Sequence, residues 1–482
     1  MRIHEYLSRN AQDFSDKPAI IQGDTTLTWS ELSAKVDACA AAIAPSLSAE
    51  EQEVVGILLA NSWQFIVVYL AVLKTGHIAL PLDPNYKKLE IDNILEQITP
   101  KLNITDPSRA QYFAASTATP MMADDLADAP LVEPGAGDYL ELPETEQIAS
   151  LLFTSGTTGK PKITQYSHSN HMWNITAVSD LWEWTADDTM LLSLPLSHWH
   201  GLIMGVDGAL YHGNTIYLHE RFEVEPTLEM LASGKISLFM HVPIAYSRLV
   251  GFENPDKYDI TGVRLCVSGS SYLPPAVWNE FNDKYHQQIL ERYGASEMGL
   301  LTSNPLDDRQ PGSVGKPLRD VTIRVTESGE LAMKSPGLFP GYYKNPEATA
   351  KNYTEDGMWM TGDIGDLAED GRLRLKGRVI EKLKKLGYTV YPRDVEWAMQ
   401  QNPAVREMAL LGLQDEKNLS DTFVYFVVGK LDEQEVRDFA KANLPAAWRP
   451  DIVVFLDELP KTRSGKPVRA ELMAMAEAAA KA

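Results

Sequence analysis

Leu151-Leu152-Phe153-Thr154-Ser155-Gly156-Thr157-Thr158-Gly159-Lys160-Pro161-Lys162 begins as an apolar run, readable as a buried strand, and breaks into a loop of glycines, hydroxyls and lysines. Gly156 and Gly159 let the backbone come close to an anion and turn successive N–H groups toward it. Thr154, Ser155, Thr157 and Thr158 add hydroxyl donors, and Lys160 and Lys162 add positive charge. A plain polar turn has no use for that combination, whereas a polyphosphate does. The common nucleotide loop, G-x-x-x-x-G-K followed by Ser or Thr, is built differently. Here the glycines are too close together and Pro161 follows Lys160, which argues against a P-loop NTPase.

With 482 residues the chain is long enough for more than one domain and a sizeable core. Its 44% hydrophobic and 23% charged residues are those of an ordinary globular protein. A net charge of -22 argues against nucleic acid or anionic lipid as a main partner, since both need a basic footprint. An anionic substrate must therefore be met by local positive charge. The two cysteines, Cys39 and Cys266, lie in apolar settings and read as free thiols, which points to the cytoplasm. Met1-Arg2-Ile3-His4-Glu5-Tyr6 has no apolar signal core, and the apolar run Phe65 to Leu73 is far short of a membrane span.

The first 150 residues alternate helical and strand patterns. Leu27-Thr28-Trp29-Ser30-Glu31-Leu32 opens a helix with Ser30 as its expected cap. Val54 to Leu59 is a buried strand, Trp63 to Lys74 a helix stopped at Gly76, and a further strand ends in Pro81-Leu82-Asp83-Pro84. This rhythm predicts parallel sheet covered by helices. Alternation continues to about residue 320. Short strands and turns follow, from Gly312-Ser313-Val314-Gly315-Lys316-Pro317 through Val321–Val325 to Gly329-Glu330-Leu331-Ala332-Met333, and read as a β-rich subdomain. After Gly377-Arg378 a compact tail has its own strand–helix–strand pattern.

Three further stretches carry chemistry. Glu291-Arg292-Tyr293-Gly294-Ala295-Ser296-Glu297-Met298-Gly299 follows the apolar pair Ile289-Leu290, at the kind of strand end where α/β sheets bind ligands. Trp359-Met360-Thr361-Gly362-Asp363 offers a carboxylate able to accept from both hydroxyls of a ribose. Lys461-Thr462-Arg463-Ser464-Gly465-Lys466 reads as a mobile loop tip bearing a lysine.

Together with the 151–162 loop, and in this order, these stretches resemble the adenylate-forming superfamily: acyl- and aryl-CoA synthetases, luciferases and peptide-synthetase adenylation domains. The resemblance covers nearly the whole chain and is strongest to acyl-CoA synthetases. It implies that Thr154 to Lys160 and Lys162 bind the phosphates of ATP, that Tyr293 stacks on adenine, and that Ser296 bonds the α-phosphate. Glu297 would hold Mg²⁺, for which one carboxylate suffices because the ion keeps waters and phosphate ligands. Asp363 would bind the ribose, and Arg378 the ribose or a phosphate. Lys466 matches the adenylation lysine, whose charge stabilises negative charge building on the α-phosphate and the leaving pyrophosphate. Leu383 to Pro392 resembles the loop lining a thiol tunnel, with Gly387 and Tyr388 at its tip, and Lys382, Lys384, Lys385 and Arg393 form a basic island suited to a CoA phosphate or simply to solvent.

Leu194-Pro195-Leu196-Ser197-His198-Trp199-His200-Gly201 is similar to the family's acid-side motif. Domains that activate α-amino acids usually carry an aspartate there to meet a buried ammonium. Ser197 and His198 stand in its place, so the substrate is expected to be a carboxylic acid without an α-amino group. His198, Trp199, Tyr246, Gly269, Ser270 and Ser271 are the expected pocket residues, although Trp199 and Tyr246 also suit a plain core. His168, His171, His198 and His200 lack cysteine partners and a defined third ligand, and read as packing or hydrogen-bonding groups rather than zinc ligands.

The resulting expectation is an α/β protein with a large N-terminal domain, residues 1–379, that contains α/β sheets and a small β-rich subdomain. A small mobile α+β C-terminal domain, residues 380–482, follows. The expected reaction is ATP-dependent conversion of an acid to acyl-AMP, then transfer to coenzyme A, with a carrier protein's phosphopantetheine as the alternative acceptor. The family's hinge residue, Asp or Lys two positions beyond the Gly-Arg pair, is here Ile380 with Glu381 next, which leaves the pivot open. A hydrolase is disfavoured because neither Gly269-Ser270-Ser271 nor Gly294-Ala295-Ser296-Glu297-Met298 makes a G-x-S-x-G elbow.

Overall fold

The computed structural model describes residues 1–113, 120–132, 139–140, 147–154, 162–386, 388–414, 420–462 and 467–481. Ser155, Gly156, Thr157, Thr158, Gly159, Lys160, Gly387 and Lys466 lie outside the described residues, as does the side chain of Thr154.

Two large mixed sheets carry the first three hundred or so residues. A nine-stranded sheet has a parallel centre built from Ile289–Ala295, Leu265–Ser268, Leu238–His241, Thr189–Leu192, Thr215–Leu218 and Pro18–Gln22. A seven-stranded sheet centres on Ile148–Thr154, Ile78–Pro81, Val54–Leu58 and Leu102–Thr105, all parallel. Strands buried on both faces need unbroken apolar runs, and Val54–Leu58 and Ile78–Pro81 are buried at every position. The helix Trp63–Lys74 is likewise enclosed between its two ends, with each residue from Phe65 to Leu73 at most 1% exposed. A helix apolar on all sides belongs in such a place. Its start is capped by Ser62, whose hydroxyl accepts from the Phe65 N–H at 3.2 Å. Its end is enforced by Gly76 at φ +84°, where a Cβ would fall 2.3 Å from the Leu140 carbonyl oxygen.

The helix after Leu27 starts earlier than the sequence suggests. Thr28, not Ser30, is its cap: Thr28 Oγ1 accepts from the Glu31 N–H at 3.2 Å, and the Glu31 carboxylate accepts from the Thr28 N–H at 2.8 Å. That reciprocal pair satisfies two donors at once, which a cap at Ser30 would leave open.

The β-rich region is a four-stranded antiparallel sheet of Thr322–Val325, Glu330–Lys334, Trp359–Leu367 and Leu373–Arg378. Lys316–Pro317 does not belong to it but pairs with Gly299–Ser303 at the edge of the nine-stranded sheet. Beyond Arg378 comes a short 3₁₀ turn, Val379–Glu381, then a hairpin of Leu383–Lys385 and Tyr388–Val390. A three-stranded sheet, Val405–Leu413, Thr422–Gly429 and Ile452–Phe455, closes the tail with helices Pro392–Met399, Glu433–Asn443 and Arg469–Ala479. The tail has cores of its own, separate from those of the large sheets. The architecture is thus a large α/β N-terminal domain and a small C-terminal domain. Both cysteines are buried free thiols. No helix among the described residues is long and apolar enough to cross a membrane.

Candidate active site

The 151–162 loop is a hairpin connection: Ile148–Thr154 pairs antiparallel with Lys162–Ser167, and Thr154 stands opposite Lys162. Lys162 Nζ lies 4.6 Å from the centre of the Tyr342 ring, and the Tyr342 hydroxyl donates to Glu297 Oε1 at 3.0 Å. One aromatic side chain therefore joins the end of the loop to the carboxylate expected to hold metal. Tyr342 carried no motif, and its role was not legible in sequence. Burial, and then the Glu297 charge, push its phenol well above the ordinary range, so it stays a donor.

Ile289–Ala295 is a strand rather than a lead into a helix. It turns through Ser296–Met298 and returns antiparallel as Gly299–Ser303. The pairing shifts register between Tyr293 and Gly294, and a Cβ on Gly294 would meet the Gly299 carbonyl oxygen at 2.0 Å. Only glycine permits that approach, and such irregularities re-aim side chains beside functional sites. The Ser296 carbonyl accepts from the Tyr166 hydroxyl, and the Glu297 carbonyl accepts from the Phe339 N–H at 3.0 Å.

Tyr293, 7% exposed, donates to Asp363 Oδ2 at 2.5 Å. Asp363 pairs in register with Arg378, whose Nε is 3.4 Å from Asp363 Oδ1. The structure thus gathers Tyr293, Asp363 and Arg378 from two sheets into one group. A Cβ on Gly362 would meet nothing within 4 Å, so the backbone before Asp363 borders open space.

On the other face of the Ile289–Ala295 strand lies a cluster that the motifs missed. Arg292 is 4% exposed, and its Nε and Nη2 have no hydrogen-bond partner among the described residues. Its guanidinium carbon stands 5.8 Å from the centre of the Trp199 ring. Gly269 makes room for it, since a Cβ there would fall 2.4 Å from the Arg292 Cζ. Burial lowers the Arg292 pKa to about 10. His200, buried nearby, has an Nε2 without a partner among the described residues and a 3.4 Å contact from Nδ1 to Ser270 Oγ. Burial, and then the Arg292 charge, hold His200 well below its ordinary pKa, so the ring is neutral. Ser270 sits at φ +70°, a conformation costly for a residue with a Cβ and common at functional sites. His241 is close enough to His200 to depress it further, and its own Nε2 is also unpartnered among the described residues. Buried polar atoms ordinarily find partners. Here several, led by a cation, are left without one among the described residues.

The remaining expected pocket residues divide. His198 is part-exposed, with Nε2 3.8 Å from Asp83 Oδ2. Tyr246 lies elsewhere. It is fully enclosed in a separate core, where its hydroxyl donates to the Val267 carbonyl at 2.9 Å. His168 accepts from the Ile3 N–H at 3.3 Å. His171 is hydrogen-bonded between Ser150 and Asp207. The basic island is smaller than the sequence suggests: Lys385 is buried on Asp451 at 2.6 Å, and Arg393 packs 4.9 Å over the Tyr272 ring. Tyr388 is 67% exposed. Glu381 pairs with Arg469 at 3.0 Å, while Ile380 is exposed.

This geometry has close counterparts. Residues 7–343 match the AMP-binding enzyme family, and residues 394–466 match the AMP-binding enzyme C-terminal domain. The malonate–CoA ligase of Arabidopsis thaliana is 29% identical over 87% of this chain and 77% of its own. The 2-succinylbenzoate–CoA ligase of Listeria innocua is 30% identical over 88% and 89%. The crystal structure of ATP-bound MatB from Rhodopseudomonas palustris matches with a TM-score of 0.89 at 28% identity, covering 98% of this chain and 99% of that one. The chain belongs to the AMP-binding enzymes of the adenylate-forming superfamily. Within it, the protein is an AMP-forming acid–CoA ligase: it activates a carboxylic acid with ATP and passes the acyl group to coenzyme A. Transfer to a carrier protein is not favoured.

Proposed function

We propose that the acid carries a second carboxylate, and that Arg292 receives it. The observation that supports this reading is the buried guanidinium whose Nε and Nη2 have no partner among the described residues, beside Trp199 and His200. Leaving one member of a buried ion pair alone costs roughly 3–5 kcal/mol. A substrate carboxylate relieves that cost with two parallel charge-assisted bonds, and a monocarboxylic acid cannot. Malonate and 2-succinylbenzoate, named for two relatives, each have a second carboxylate.

The rest of the assignment follows the motifs. Residues Thr154 to Lys160 with Lys162 hold the phosphates, Tyr293 stacks the adenine, Ser296 bonds the α-phosphate, and Asp363 and Arg378 take the ribose. Glu297, whose side chain receives a neutral hydroxyl from Tyr342, suits Mg²⁺. Such an ion would offset charge on the triphosphate. Lys466 serves the adenylation step, Gly387 and Tyr388 line the thiol path, and the two domains divide at 379/380. Two buried free thiols suit a reducing, cytoplasmic setting.

The test is pyrophosphate release with malonate, succinate and 2-succinylbenzoate against propionate, butyrate and benzoate. A higher kcat/KM for at least one dicarboxylate than for every monocarboxylate supports the reading, and the reverse order overturns it.

A further inference from the structure

Residues His200–Asp207 form a π-helix, which passes directly into the α-helix Gly208–His212. Eight residues of π geometry are unusual, because the wide turn gives up the i→i−4 bonds of the α-helix and needs a reason to persist. The two ends of the segment suggest that reason. At the start, His200 reaches Ser270 and feels the Arg292 charge. At the end, Asp207 is 1% exposed and its Oδ2 accepts from the Tyr69 hydroxyl at 3.0 Å and meets His171 Nδ1 at 2.7 Å. His171 in turn bonds Ser150, on the strand that leads into the 151–162 loop, through Nε2 at 2.9 Å.

Turn arithmetic separates the two registers. Seven residues are close to two full turns of an α-helix at about 3.6 residues each, so positions 200 and 207 would share one face. With i→i+5 bonds a turn takes about 4.4 residues, so the same span is near one and a half turns and the two positions face opposite ways. Only the wide register lets one segment send His200 to the Arg292 cluster and Asp207 to Tyr69 and His171. The close packing agrees. A Cβ on Gly201 would fall 2.3 Å from the Pro195 carbonyl oxygen, and one on Gly205 2.8 Å from Leu192 Cδ1, so glycine is what lets the wide turn lie against residues 192–195.

We propose that Asp207, gripped by Tyr69 and His171, holds residues 200–207 in the π register and thereby aims His200 into the acid pocket, which makes Asp207 a specificity-determining positioning residue. It touches neither substrate and acts through His200. The proposal rests on the reading of the Arg292 cluster as the acid pocket.

The experiment compares Asp207→Leu, Asp207→Asn, Tyr69→Phe and Arg292→Met in the full chain, with malonate and propionate as acid probes. Asp207→Leu is expected to raise the KM for malonate about tenfold or more, the scale of loss that follows a misplaced contact. The KM for ATP should change by a smaller factor than that for malonate, because Asp207 reaches the strand before the 151–162 loop only through His171 and Ser150. Asp207→Asn, which keeps an acceptor, is expected to recover most of the loss, and Tyr69→Phe to show a smaller shift of the same kind. A crystal structure of Asp207→Leu should show α-helical bonding over 200–207 and His200 turned away from Ser270. If Asp207→Leu does not fold, Tyr69→Phe carries the kinetic test. A merely structural role would lower the active fraction and leave both KM values alone, and that result overturns the proposal. So does a retained π register in the Asp207→Leu crystal. If Arg292→Met leaves the malonate KM unchanged, the pocket reading falls and takes this proposal with it; if Arg292→Met raises it and Asp207→Leu does not, only the π-register proposal falls.

Discussion

The hydroxyl of Tyr293 donates to Asp363 Oδ2 at 2.5 Å, tying the nine-stranded sheet to the four-stranded one across 70 residues of sequence. A hydrogen bond to a charged group contributes roughly 1.5–3 kcal/mol. Tyr293→Phe releases the carboxylate from its fixed rotamer while keeping the ring. The expected outcome is a KM for ATP raised about tenfold, equivalent to about 1.4 kcal/mol, with the KM for the acid unchanged. Initial rates at varied ATP check it, and equal effects on both substrates would count against Asp363 as the nucleotide's partner.

Tyr342 links Lys162 and Glu297, so removing its hydroxyl should be felt at the proposed triphosphate site. Tyr342→Phe keeps the ring under Lys162 and deletes only the donor. A severalfold higher requirement for Mg²⁺ in the pyrophosphate-release assay is expected, since the Glu297 side chain loses its orienting bond. An unchanged magnesium titration would separate Glu297 from the metal.

On the proposed reading, Arg292 sets selectivity against stability. Arg292→Met fills similar volume without burying a cation, and replacements of buried charge by apolar groups are often stabilising by about 1–4 kcal/mol. Thermal unfolding of the variant without substrate is expected at higher temperature than the parent, together with loss of the dicarboxylate preference. A variant that is both less stable and unaltered in preference would show that Arg292 is satisfied in some other way.

Gly269 gives a gentler perturbation of the same group. A methyl group there meets the Arg292 Cζ at 2.4 Å, and the guanidinium must move. Gly269→Ala is expected to raise the KM for a dicarboxylate by about tenfold while leaving that for ATP within about twofold, because the clash is confined to the acid side. Competition kinetics between malonate and propionate would read the change directly.

Glu291, next in sequence, makes stability depend on pH. Its carboxyl is buried, accepts the Gly312 N–H at 2.8 Å, and is pushed up by that burial to about 8 from an ordinary 4.5. Between those values the folded chain keeps a proton that the unfolded chain has released, so stability falls as pH rises through the window. Glu291→Gln removes this loss. Denaturant titrations at pH 5 and pH 8.5 are expected to show the variant gaining on the parent at the higher pH by a few kcal/mol, with the larger part of that gap absent at the lower, each pKa unit being worth about 1.4 kcal/mol.

Much of this was legible in the chain. The Trp63–Lys74 helix and the Val54–Leu58 strand follow from apolar runs bounded by Ser62 and Gly76, because periodicity and caps are local. The family and the group of Tyr293, Asp363 and Arg378 were readable because each lies within a dense motif. Tyr342 and Asp207 were not. Each acts through a partner from a distant segment, and a lone Tyr or Asp leaves no local signal. Arg292 was visible inside its motif, yet nothing in the sequence says that its guanidinium is buried with Nε and Nη2 unpartnered among the described residues; that is a property of packing. Tyr246, left open in sequence between pocket and plain core, lies in the core, since sequence alone does not tell which face a ring takes. Ser30 was misread as a cap because Thr28 wins through its reciprocal bond with Glu31.

Successive residues of a strand point to opposite sides of the sheet, and Arg292 and Tyr293 are successive. On the proposed reading, the acid's far end and the nucleotide are thus judged back to back on a single backbone segment whose path Gly294 pins against Gly299. Natural variation can then redraw the menu of acids by trading side chains around Arg292, while the half of the enzyme that burns ATP is inherited untouched.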